Sequence, residues 1–322
     1  MGHIPQPRGP ISEGIISALT SGDTRATLPS AGTPDPFGDD LHLSLYVCYE
    51  LHYQGFDAVD PEWEWDPALL GLRRDLERVY LAALRDGVAG GADVDPVVEE
   101  LMIDAPGGVS HFLEDKGELW HLREYVVHRS IYHHKEADPH AWVIPRLTGQ
   151  AKASMVAVEY DEYGGGRADH MHSTLFRGLM RALDLDDSYL AYLDEAPAPM
   201  LGVVNMMSMF GLHRSLRGAL VGHFAAAEIT TSPGAARMTR ALKRLGVAET
   251  VFFTEHVEAD AVHEQVLRRD VIGDLLRREP ELTGDVVFGL QATDLVEGRF
   301  GAHLLGAWDA GRTSLLEAPH AG

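Results

Sequence analysis

From Val247 to Ile272 the chain contains neither glycine nor proline, and inside that run lies Glu255-His256-Val257-Glu258-Ala259-Asp260-Ala261-Val262-His263. A stretch of that length and composition is best satisfied as an α-helix. At about 100° per residue, Asp260 sits roughly 40° from His256 and His263 about 20° away on the other side, so the three share one stripe. Two imidazoles and a carboxylate are costly to bury unless paired or bound to metal. A donor set of nitrogen and oxygen without sulfur suits divalent iron better than structural zinc. Taken alone, the stripe fits equally well a solvated polar face on which histidines are scattered.

The rest of the chain carries the same three- and four-residue periodicity. Leu41, Leu45, Cys48 and Leu51 mark one apolar helical face, and Leu69 to Leu84 marks another. Further helices are expected over 97–101, 112–132, 142–162, 172–183, 203–229, 233–245, 249–278 and 284–308. No segment alternates with period two between hairpin turns. The expected fold class is all-α, a single domain over 41–316. Gly, Pro, Ser and Thr dominate 1–40, read as a flexible N-terminal arm without regular structure, and 317–322 as a tail.

Charge and cysteine content narrow the function. With 49 acidic residues against 27 Lys and Arg, the net charge of −22 repels phosphate backbones, so nucleic-acid partners are not expected. Cys48 is the only cysteine, so any metal site must use nitrogen and oxygen ligands. No run approaches the roughly 20 apolar residues of a membrane span and no cationic leader opens the sequence, which gives a cytoplasmic expectation.

A second group of chemically capable residues lies upstream. Glu136 ends His133-His134-Lys135-Glu136, Glu162 lies in Tyr160-Asp161-Glu162-Tyr163, and His172 follows ten residues later, beyond Gly164-Gly165-Gly166. Glu159 and Glu162 are one turn apart, which an exposed acidic helix edge would also explain. The glycines are read as unwinding that lets Glu162 and His172 converge. Glu50 and His52 are candidates for a substrate pocket, and Glu159 and Glu228 for positions beside the metal. His133, His134, His223 and His303 read as ordinary surface or core histidines, and Met206, Met207 and Met209 as core filling. A ferritin-like centre needs two Glu-x-x-His pairs on separate helices, and within the expected helices only Glu118-Leu119-Trp120-His121 has that form. Zincin, nucleophile-elbow and Walker motifs do not occur.

These segments together resemble the haem-oxygenase-like di-iron oxidases and oxygenases, also described as iron-containing redox enzymes. In that family one helix gives a glutamate, a second region a glutamate and a histidine, and a third helix His-x3-Asp-x2-His. Glu136 matches the first, Glu162 and His172 the second, and His256, Asp260 and His263 the third. The resemblance covers roughly Leu41 to Leu316 and implies a haem-oxygenase-like helical bundle. It implies two Fe2+ ions on those six ligands, O2 as co-substrate and a small-molecule substrate such as an amine, amino acid or fatty acid, in natural-product biosynthesis. It is also compatible with an external electron donor and a homodimer. The alternatives are a metal- or ligand-binding helical protein without turnover, and a cofactor-independent enzyme on the same scaffold.

Overall fold

The computed structural model describes residues 2–22 and 26–317, excluding the side chains of 258–261. Among the described residues no β-strand forms, and the only β-bridge is an isolated one between Gly2 and Phe56. The helices in chain order are α1 (Pro10–Thr20), α2 (Asp39–Glu50), α3 (Pro67–Asp86), α4 (Asp95–Leu101), α5 (Val109–Asp115), α6 (Leu119–His133) and α7 (Asp138–Ala141). They continue with α8 (Gly149–Glu162), α9 (His172–Ala182), α10 (Ala198–Leu212), α11 (Arg217–Arg244), α12 (Val251–Val266), α13 (Gly273–Arg278) and α14 (Thr283–Asp309). The all-α expectation holds, and no described helix is long and apolar enough to cross a membrane.

The N-terminal arm is corrected. Residues 10–20 form α1, entered through Pro10 at its first turn, with Ile11, Ile15, Ala18 and Leu19 buried. Asp40 of α2 accepts hydrogen bonds from the Ile11 and Ser12 amides at 3.0 and 2.8 Å, which pins α1 onto α2. Glycine and proline around this segment set its boundaries, while its apolar spacing determines the helix. Of the expected tail, 318–322 lies outside the described residues.

Several long expected helices are broken, each by an identifiable cap. The span 112–132 divides at Gly117, and α6 then opens on a capping box in which the Glu118 amide donates to His121 Nδ1 at 2.9 Å. The Glu118-x-x-His121 sequence is thus a helix cap. The span 142–162 divides into a 3-10 turn at Ile144–Arg146 and α8, with the short α7 ending just before it. The span 203–229 is broken after Leu212, where the Arg146 guanidinium caps the Gly211 and Leu212 carbonyls, and resumes as α11. Conversely, α11 runs unbroken through Pro233, with Ile229, Ala235 and Met238 buried on either side of it.

The core is organised around α11, which packs lengthwise on α14 and α12, while α10 fills the space between α2 and α14. Two glycines allow the α11–α14 approach. A Cβ at Gly222 would meet the Val286 carbonyl and a Cβ at Gly289 the Ala219 carbonyl, both well inside contact distance. This crossing brings polar residues of α11 and α14 to the same interior space as α6 and α12.

Candidate metal centre

Each candidate ligand whose side chain is described sits at a helix end or on a buried helix face. Glu136 follows α6, where the chain reverses through Ala137 in the left-handed region at φ 72°. The reversal separates neighbours: the Lys135 ammonium pairs with Glu50 at 2.6 Å, while Glu136 turns to His133 and His256. Glu162 is the last residue of α8 and His172 the first of α9. Gly164, Gly165 and Gly166 between them all have positive φ, and a Cβ at Gly164 would strike the His170 backbone at 2.6 Å. This tight turn brings His172 Nδ1 to 2.8 Å from Glu162 Oε2.

The structure gathers these residues into two adjoining groups. Glu136, Glu162, His172 and His256 offer ligand atoms all within 4.8 Å of one another, and Glu162, Glu228 and His263 do the same, every one of them buried. Glu162 belongs to both groups. His256 Nδ1–H donates to the Phe252 carbonyl at 2.7 Å, and Nε2 faces Glu136 Oε1 at 3.5 Å, the nitrogen that a metal ion would take in place of a proton. His263 is oriented from outside by Asp161 Oδ2, 3.2 Å from Nε2, while its Nδ1 faces Glu228 at 3.3 Å and Glu162 at 3.6 Å. Glu136 Oε2, His172 Nδ1, Glu228 Oε2 and His263 Nδ1 are buried without a hydrogen-bond partner. Close, buried donor atoms that do not satisfy one another fit a shared cation.

Electrostatics agree with that fit. Burial alone would raise the Glu136 carboxyl, but His133 and His256 hold it well below the usual carboxylate range. Burial would lower His263, yet the Glu228 and Glu162 carboxylates push it up to about 9. Burial raises Glu228 itself. Protons thus balance carboxylates that divalent ions would otherwise neutralise, and metal binding would release them.

Beside these groups lies a cavity of about 640 Å³, walled by α5, α6, α11, α12 and α14. Glu136, Glu162, Glu228 and His256 form one end, and Phe224, Phe252, Phe253 and Phe300 supply apolar wall. Arg129 and Glu297, also lining it, form a bidentate ion pair at 2.8 and 2.7 Å.

Of the six expected ligands the structure brings Glu136, Glu162, His172, His256 and His263 together; the side chain of Asp260 lies outside the described residues. Glu228, expected only beside the metal, stands with the ligands. Glu159 is buried with both oxygens unpartnered, and burial with the nearby Glu162 raises it to about 9. Glu50 and His52 do not line the cavity. Glu50 is locked by Lys135 and by the Tyr189 hydroxyl at 2.7 Å, and His52 Nδ1–H donates to Glu64 at 3.1 Å. Glu50 is the last residue of α2, and His52, just past it, meets Arg73 of α3 and Glu64 of the segment before α3. His133 and His223, read as ordinary, line the cavity, as do Arg129 and His140. Asp161, adjacent to a candidate glutamate, was the most accessible missed signal. Nothing in the linear pattern marks His140 or His223.

With this geometry in place, comparison with known proteins defines the class: a model of the iron-containing redox enzyme family matches residues 123–298, more than half of the chain, which therefore belongs to that family. The chain is similar to a nitrosourea synthase of Streptomyces achromogenes subsp. streptozoticus, 25% identical over 215 residues. That match takes in 66% of this chain and 43% of the relative, so the chain spans less than half of that protein's length.

Proposed function

We propose that this protein is a non-haem di-iron oxidase or oxygenase that uses O2 on a small metabolite in natural-product biosynthesis. The observation that carries the reading is that Glu162 belongs to two adjoining buried ligand groups and lines the cavity beside them. Glu136, Glu162, His172 and His256 would hold one ion, and Glu162, Glu228 and His263 the other. Asp260, one turn after His256, adds a further carboxylate. Iron held there would supply O2 activation and the oxidising step.

The chain's own groups do the rest. The Phe252 carbonyl fixes the His256 tautomer and Asp161 turns the His263 ring, so both present a chosen nitrogen. The phenylalanine wall keeps water from the substrate. The ion-paired Arg129 brings no net charge into the chamber. A small-molecule substrate enters there, and an external electron donor completes the turnover of an oxygenase.

The test is anaerobic loading with ferrous ion, metal quantification and rapid mixing with O2. About two irons per chain, a transient visible absorption and oxygen uptake are expected. The paired substitution His256→Ala with Asp260→Ala removes all three; unchanged iron content and uptake would overturn the reading. Iron binding with no oxygen consumed across a metabolite panel would favour a carrier or sensor.

A further inference from the structure

Outside the ligand groups, and histidines apart, three charged side chains line the cavity: Arg129 from α6, and Asp294 and Glu297 three residues apart on α14. Arg129 donates through both terminal nitrogens to the two oxygens of Glu297, so these two charges cancel. Asp294 is left over. Among the described residues nothing hydrogen-bonds or ion-pairs with it. The charges that act on it, those of Glu100 and Glu297, are both negative and together with burial raise its carboxyl. Unlike the buried ligand atoms, these carboxylates can be reached: Asp294 is exposed, and the Glu297 side chain is 34% exposed.

The same wall is aromatic. Tyr125 and Phe300 line the cavity, and the Arg129 guanidinium carbon lies 5.5 Å from the centre of the Tyr125 ring and 4.8 Å from that of Phe300. One organic cation, the protein's own, thus already rests here against a carboxylate and ring faces. That combination suits ammonium and guanidinium groups, which ring faces attract and carboxylates neutralise. A carboxylate-bearing ligand finds no free cation outside the metal centre, since Arg129 is the only Lys or Arg among the lining residues and both its terminal nitrogens are taken. The wall is also close to the metal centre. Arg129 precedes His133 by one turn of α6, about 6 Å, and His133 Nδ1 lies 2.9 Å from Glu136 Oε1.

We propose that Asp294 anchors a positively charged substrate, so that the chamber takes small molecules bearing an ammonium or guanidinium group and rejects carboxylate-terminated chains. This rests on reading the cavity as the substrate chamber. Asp294 supplies the unpaired charge, and Tyr125 and Phe300 supply apolar faces for the rest of the cation. Arg129 is a positioning residue: by holding Glu297 it keeps that carboxylate at the wall beside Asp294. A fatty acid would bring its own negative charge against one that nothing in the wall offsets.

The experiment needs neither iron nor turnover, so it can fail independently of the proposed chemistry. The full chain, free of added metal, is titrated calorimetrically at neutral pH with probes of matched shape. Benzylamine and N-benzylguanidine, both cationic, are set against the uncharged benzyl alcohol and N-benzylurea and against anionic benzoate; the two cations distinguish an ammonium from a guanidinium site. Each cation favoured by the site should bind about five- to thirtyfold tighter than its uncharged match, the worth of one half-solvated charge pair, and benzoate should bind weakest. Asp294→Asn should remove the preference. Asp294→Lys, a second change at the same exposed position, should turn it toward benzoate. A preference that survives in Asp294→Asn belongs to the carboxylates of the ligand groups and overturns the proposal. Equal binding of charged and uncharged probes by the unaltered chain, or no binding of any, overturns it as well.

Discussion

Replacing Lys135 by methionine isolates a buried carboxylate beside the candidate metal centre. The Lys135 and Glu50 side chains are 1% and 0% exposed and 2.6 Å apart. At an effective dielectric of about 20, a pair at that distance attracts by about 6 kcal/mol. Removing one partner loses this attraction while the other charge remains desolvated, which typically costs about 3–5 kcal/mol. Proton uptake by the stranded carboxylate sets a ceiling near 4 kcal/mol for a glutamate at neutral pH. Lys135→Met is therefore expected to lower the unfolding free energy by about 3–4 kcal/mol, out of a total of order 5–15 kcal/mol. The sign of the pH dependence follows. A carboxyl that must be protonated in the folded variant disfavours folding more as pH rises, so the deficit should shrink by about 1.4 kcal/mol per unit on going down from about pH 7 to about pH 5. The double variant Lys135→Met with Glu50→Leu removes both charges and should recover most of the loss, less the partners left by the Tyr46 and Tyr189 hydroxyls. Urea unfolding of the four proteins at several pH values measures all of this. A single-variant deficit below about 1 kcal/mol, or one independent of pH, would refute the claim that this pair anchors the turn carrying Glu136.

Further outcomes follow from other parts of the molecule. Glu162→Ala should remove metal from both groups, whereas Glu228→Ala should leave about one ion per chain, read by elemental analysis after anaerobic loading. Gly289→Ala should be more disruptive than an ordinary helix substitution, costing about 1–3 kcal/mol or more by forcing α14 away from the Ala219 carbonyl, measurable as a lowered thermal midpoint. His42 is held down to about 3 by burial. On lowering pH from about 7.5 to about 5.5 the unfolded chain gains this proton and the folded chain does not, so His42 destabilises the fold by about 1.4 kcal/mol over that interval. A His42→Asn variant should lose that part of the acid sensitivity, and an identical pH profile in both proteins would contradict it.

The sequence by itself determined the fold class and most of the candidate site, because both are written in local spacing. The His256 and His263 stripe needs only the helical period, and the Gly164–Gly166 break announces the turn that joins Glu162 to His172. Composition misled where it was read without periodicity: α1 forms within the Gly- and Pro-rich first forty residues because Ile11, Ile15 and Leu19 supply an apolar face. The Glu118-x-x-His121 motif likewise proved to be a cap. Only the tertiary structure decided that Glu228 joins Glu162 and His263, since α11 lies against α12, and that Glu50 is spent on Lys135 instead of lining the cavity. It also decided that Glu297 is spent on Arg129 of α6, while Asp294, one turn earlier on α14, lines the cavity with no partner among the described residues. Spacing along one helix fixes which residues share a face, but which two faces meet, and therefore which carboxylate is left unpaired, is set by long-range packing.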